Sequence, residues 1–237
     1  MKDQRIFASP FRMMSPKLDS EADRFKELHE AQVSDAHTPE EGFLIMISKL
    51  VEMSKILSKS FVATDPERLS LCDRLAEEVH KWESAITKDL IAAQSTIGHN
   101  VFKLVVRFPV RLERIGDMFQ NILTCTRIKA RESIPFSDKA LAELDAIFRL
   151  LLEMLTNVRD AIVIRNVVLL AHIRAQRERL AQMLLDARFA HWERVEAGFC
   201  SPQASPIYLD ILDSLTATNE YLGKICESLL AMSDEEE

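Results

Sequence analysis

Two places in the chain begin in the same way. Thr38-Pro39-Glu40-Glu41 and Asp65-Pro66-Glu67 each set a capping side chain ahead of a proline at the first helical position, with acids in the first turn. Behind the first runs an apolar stripe at helical spacing through Phe43, Ile47, Leu50, Val51, Ser54, Ile56 and Leu57, ending near Val62. Behind the second, Leu69, Cys72, Leu75, Val79, Trp82 and Ile86 continue the pattern to about Gln94. No stretch alternates apolar and polar residues as a half-buried strand does. Long helices with one apolar stripe each must bury those stripes against one another, so the chain is constrained to helix-on-helix packing.

The same start and stop signals recur downstream. A third helix follows a short turn and runs to about Arg131. Pro109 lies inside it and predicts a kink or break one turn before Glu113. Ser137-Asp138 opens a fourth helix through Leu141, Leu144, Ile147, Leu151 and Leu155. A fifth spans Val167 to Ala197 and stops at Gly198, well placed as a C-terminal cap. Ser205-Pro206 starts the sixth, which ends near Met232. The expectation is an all-α fold of six long helices. Residues 1–37, with Pro10, Pro16 and several methionines but no sustained period, read as a partly mobile N-terminal extension holding a candidate short helix from Ser20 to Gln32. Residues 233–237 form an acidic tail.

The second half echoes the first. Placing Ile225 on Ile122 puts Glu220 on Asp117, Asn219 on Gly116 and Thr216 on Glu113, an offset of 103 residues. The reading is a duplicated three-helix bundle, with one copy in residues 38–132 and the other in 137–232.

Composition excludes several classes. Only 5 glycines and 8 prolines interrupt 237 residues, 47% of them apolar and 28% charged, a balance that suits a helical soluble protein. No run approaches the roughly 18–20 apolar residues of a membrane span; Ala161-Ile162-Val163-Ile164 is stopped by Arg165. Lys2, Asp3 and Arg5 have no apolar core or cleavage pattern behind them, so the expected location is the cytoplasm. Cys72, Cys125, Cys200 and Cys226 are scattered, which favours buried reduced thiols over a zinc site or disulfide framework. A net charge of −7 argues against general affinity for nucleic acid. The basic stretch from Arg174 to Arg179 has acidic neighbours and reads as a solvated helix face.

The chemistry-bearing residues are few. Glu113 and Asp117 stand at i and i+4 in Leu112-Glu113-Arg114-Ile115-Gly116-Asp117, so their carboxylates share one helix face and repel. Two readings account for such a pair. The acids are metal ligands, since hard carboxylate oxygens suit iron, manganese, magnesium or calcium; or Arg114 simply pairs with Asp117 at i+3. Glu77-Glu78-Val79-His80 supplies one Glu-x-x-His, whereas a di-iron bundle needs two and further glutamates. His29, His37, His99, His172 and His191 have no glutamate three residues before them. There is no G-x-S-x-G elbow and no glycine-rich phosphate loop. His191, Arg188, Arg194 and Gly198 read as a basic, polar end of helix five, favoured by its dipole. No enzyme signature emerges.

Leu112-Glu113-Arg114-Ile115-Gly116-Asp117 followed by Asn121-Ile122 resembles the signature of the PhoU family of phosphate-uptake regulators. Arg188-Phe189-Ala190-His191-Trp192-Glu193-Arg194 with Gly198, and Ser205-Pro206-Ile207-Tyr208-Leu209-Asp210-Ile211-Leu212-Asp213, resemble the last two helices of PhoU domains. They look most like the variant at the cytoplasmic end of bacterial sodium/phosphate cotransporters. The resemblance covers about residues 40–232.

What the resemblance implies is a tandem pair of three-helix bundles carrying acidic motifs that hold multinuclear iron or another di- or trivalent metal ion. Glu113 and Asp117 match that motif in the first copy. In the second, Thr216 replaces the first acid, Glu220 keeps the other, and Asp213 is positioned to compensate. In helix two, His80 stands where many members have aspartate, leaving Glu77 and Glu83 nearby. The implied role is a non-enzymatic regulator at the inner face of the membrane, commonly a homodimer, whose partners are a phosphate transporter subunit and a sensor histidine kinase. A detached regulatory domain for a sodium/phosphate symporter or other permease is the alternative; a metal-binding enzyme of the carboxylate-bundle type is a third reading, weakened by the single Glu-x-x-His.

Overall fold

In the computed structural model, which describes residues 38–234, the capping side chains set the helix starts. Thr38 accepts from the Glu41 N–H at 3.2 Å while the Glu41 carboxylate accepts from the Thr38 N–H at 3.1 Å, a reciprocal capping box that opens α1 (Pro39–Ser60). Asp65 caps α2 (Pro66–Ala92) through the N–H groups of Glu67 and Arg68. The chain then makes the short α3 (His99–Val105) before α4 (Phe108–Arg131). Ser137 caps α5 (Asp138–Ile164), Asn166 caps α6 (Val167–Glu196), and α7 (Ala204–Asp234) completes the order. All of the described elements are helical, six of them long. The N-terminal extension and its candidate helix from Ser20 to Gln32 lie outside the described residues.

The predicted interruption near Pro109 is present, a little earlier than one turn before Glu113. Proline fits the first turn of a helix, where its missing N–H is no loss. The chain therefore ends α3 at Val105 and restarts at Phe108, with Pro109 inside the first turn of α4. A long helix three becomes a short one and a long one.

Helices α1, α2 and α4 pack on one another, as do α5, α6 and α7. The most extensive contact in the molecule is between the halves, α4 on α7, with α1 on α5 close behind. These four helices make a central layer flanked by α2 and α6, and one continuous apolar core runs through both halves. The echo reappears in burial. On α4, Phe108, Leu112, Ile115, Phe119 and Ile122 are buried; 103 residues on, so are Ile211, Leu215, Thr218, Leu222 and Ile225 of α7. Among the described residues, no helix is long and apolar enough to cross a membrane.

Two glycines on the inner faces separate tight from relaxed packing. A β-carbon on Gly42 would stand 2.6 Å from Ile86, whereas one on Gly116 would meet Val79 at 3.5 Å and Leu50 at 3.8 Å, ordinary contact distances. Gly42→Ala should lower the thermal midpoint by overpacking the α1–α2 seam at a cost of about 1–3 kcal/mol. Gly116→Ala should raise it, since alanine is favoured over glycine inside a helix by about 1 kcal/mol. Thermal unfolding followed by circular dichroism checks both directions.

Candidate functional site

The seam between α2 and α4 holds most of the residues singled out in the sequence. Both helices keep their apolar stripes inward, so polar side chains at the edges of those stripes meet along the seam. His80 Nδ1 of α2 lies 2.9 Å from Glu113 Oε1 of α4. One turn further along α4, Arg114 donates to Asp117 at 2.9 Å. Glu77 is exposed one turn before His80, and Glu83 accepts from the hydroxyls of Ser84 and Thr87 at 3.2 and 3.1 Å. Toward the other end of the seam, Arg127 of α4 makes two bonds to Asp73 of α2, at 3.1 and 2.5 Å. Lys49 of α1 pairs with Glu78 of α2.

The equivalent seam between α6 and α7 is built the same way with different residues. Asp213 of α7 is held by Arg188 of α6. Arg177 of α6 reaches Glu227 of α7 at 3.4 Å. Thr216, standing where copy one has Glu113, donates its hydroxyl back to the Leu212 carbonyl at 2.8 Å. Glu220 is exposed on α7. Asp213 is therefore engaged by an arginine on the neighbouring helix.

Of the six residues expected as ligands, Glu77, His80, Glu113 and Asp117 share the first seam, and only His80 and Glu113 touch. Asp213 and Glu220 sit on α7. Among the described residues, no group of three or more His, Cys, Asp or Glu side chains is placed to hold a metal ion. A hard multinuclear centre takes several carboxylates facing a common point. Here Glu113 meets only the His80 imidazole, Asp117 meets a guanidinium, and no third donor converges with them among the described residues, so this arrangement does not fit such a centre.

Two bundles packed back to back through α4 and α7 are a topology that can be compared directly with solved structures. The phosphate transport system regulatory protein PhoU from Streptococcus pneumoniae superposes with a TM-score of 0.74 over 90% of this chain and 97% of its own, at 19% identity. The fold is PhoU-like. PhoU from Pseudomonas aeruginosa matches with a TM-score of 0.72 over 90% of this chain and 99% of its own, at 14% identity. No family model matches the sequence, and comparison with curated proteins finds no relative.

Within this PhoU fold, the second bundle contains a buried polar cluster that sequence reasoning divided wrongly. Glu143 of α5 accepts two bonds from Arg194 of α6, at 2.6 and 2.8 Å, and a third from the Tyr208 hydroxyl of α7 at 2.5 Å. His191 stacks on the Tyr208 ring at 4.9 Å. Its Nε2 is 2.8 Å from Ser205 Oγ, and its Nδ1 is 3.8 Å from Cys200 Sγ. His191 and Arg194 are thus buried rather than part of a basic helix end, and Arg188 is neutralised by Asp213. Their spacing of three residues was the available signal, since it puts both on one face. The partner Glu143 is supplied by a distant helix, and no local pattern names it.

Burial also governs titration. Three of the cysteines are buried reduced thiols, as expected, with pKa values pushed up to about 12 for Cys72, about 11 for Cys125 and about 12 for Cys226. Cys200 is partly exposed. Burial, reinforced by Arg194, lowers the His191 pKa below its ordinary value.

Two measurements follow from this cluster. Glu143→Ala leaves the Arg194 guanidinium buried without its carboxylate and should cost about 3 kcal/mol or more in denaturant unfolding. Because His191 takes up a proton more readily unfolded than folded, its contribution favours the fold at higher pH. That contribution is lost as pH falls below about 6.5 toward the lower folded-state value. His191→Gln should flatten the dependence of stability on pH in that window, and an unchanged slope would exclude His191 as its source.

Proposed function

We propose that this chain is a non-enzymatic regulator of phosphate uptake and phosphate-starvation signalling, acting in the cytoplasm at the inner face of the membrane by docking to a phosphate transporter subunit or a sensor histidine kinase. The observation that carries this reading is the match of fold over nearly the whole length of the Streptococcus pneumoniae phosphate transport system regulatory protein. The interior supports it. The two halves share one apolar core, and the polar edges of the α2–α4 and α6–α7 seams are cross-linked by His80–Glu113, Arg127–Asp73 and Arg188–Asp213. Such a body is suited to presenting surfaces to partners. The reading does not depend on metal binding by Glu113 and Asp117, since docking needs only the surfaces of the folded body.

Deleting the gene tests the proposal. The expected result is altered phosphate uptake together with altered expression of phosphate-starvation genes; unchanged values in both would reject it. Restoring the gene with His80→Ala and Glu113→Ala together should still complement, since one side-chain hydrogen bond contributes only about 0.5–1.5 kcal/mol to the fold. Failure of that variant to complement, with its thermal midpoint intact, would assign the pair a direct role in docking.

A further inference from the structure

The ends of α1, α2, α4, α5 and α7 converge with the short α3 on an apolar cavity of about 250 Å³. Its inner wall belongs to the core: Phe43, Leu90, Phe108 and Ile162 are buried, and the Phe43 and Phe108 rings lie 5.4 Å apart, tilted at 51°. Its outer wall is α3 and the turn before it, where Val101 and Ile97 are only partly buried against the core. Protein interiors are close-packed, and an apolar cavity of about 150 Å³ takes up a benzene ring. This larger one has room for a phenyl ring and a further apolar side chain. Thr38 and Pro39, where the described chain begins, line its mouth.

The point of chain entry identifies the occupant. Residues 20–32 read as a short helix whose two large apolar side chains, Phe25 and Leu28, stand at i and i+3 and so share a face. A helix of that length is marginal in water on its own, the threshold being roughly 12–15 residues, so it needs a surface on which to bury that face. Between Gln32 and Thr38 lies only Val33-Ser34-Asp35-Ala36-His37, a stretch that spans at most about 18 Å when extended. Phe25 and Leu28 are thus tethered close to the mouth at high effective concentration. The apolar residues from Ile6 to Met14 lie farther from Thr38 in sequence and would close a longer loop at a larger entropic cost. The other end of the chain reaches the same place, since Met232 also lines the cavity. Beyond it, Ser233-Asp234-Glu235-Glu236-Glu237 has no apolar side chain to fill the space.

We propose that residues 20–32 dock across the mouth of this cavity in the same chain, with Phe25 and Leu28 filling it. The inference rests on the cavity and the point of chain entry alone, so it stands or falls independently of the regulatory role.

Fluorescence of the full chain carrying Trp82→Phe, Trp192→Phe and Phe25→Trp tests it, because the introduced indole is then the only one. Its emission is expected to be blue-shifted and shielded from acrylamide, at nanomolar as at micromolar protein. Val101→Asp or Ile97→Asp, each at the partly exposed outer wall, should return the emission to that of a solvated indole while the helical circular dichroism spectrum stays unchanged. Leu28→Glu, which alters only the docking segment and leaves the cavity wall intact, should do the same. A solvated indole in the parent chain, a blue shift indifferent to the wall substitutions or to Leu28→Glu, or one that fades on dilution because a second copy supplies the segment, would each overturn the proposal.

Discussion

Arg111 reaches from α4 to α7 and donates to the Lys224 carbonyl at 2.6 Å and the Ser228 hydroxyl at 2.8 Å, at the edge of the contact on which the architecture depends. Each of these helices belongs to its own bundle, yet each gives more contact to the other than to any bundle mate. Neither bundle is closed without the other half. The side chains these two helices bury, Leu112, Ile115, Phe119 and Ile122 on one and Leu215, Leu222 and Ile225 on the other, are each worth about 1.5–3 kcal/mol when withdrawn from water. That is far more than the polar bonds at the rim contribute.

This contact also decides where charge is placed. With the inner faces of α4 and α7 committed to one another, their acids are left to the edges that meet α2 and α6. Glu113 is directed to His80 and Asp213 to Arg188. The acidic motif thus becomes part of a pair of cross-linked seams. The polar cluster of Glu143 with Arg194 and Tyr208 ties the three helices of the second bundle at one end. The buried Arg194 guanidinium is tolerable only with the half-buried Glu143 carboxylate beside it, because alone it would stand in a low dielectric without a counter-charge.

The helices were largely legible from sequence. Thr38, Asp65 and Ser137 cap where their side chains and the following residues indicated, and Gly198 takes the left-handed conformation that a C-terminal cap requires. These are local effects, decided within one turn. Pro109 was read correctly as an interruption, though the break falls before it. The site was less legible. Spacing alone allowed Arg114 to pair with Asp117, and it does. Spacing could not show that His80 would stand against Glu113, because the two are 33 residues apart and meet only through the register of α2 on α4. The basic end expected around His191 and Arg194 dissolved for the same reason, since Glu143 arrives from another helix.

The sequence by itself determined that this chain is helical, roughly where each long helix starts and stops, and that its second half repeats the burial pattern of its first. Helical periodicity, capping and proline act over neighbouring residues, so they can be read from the chain alone. Only the tertiary structure decided that α4 takes α7 as its principal partner, which acids are met by which bases, and which face of α6 is left in water with its aromatic residues uncovered. Those outcomes depend on the relative placement of distant helices, where a shift of one turn exchanges every partner.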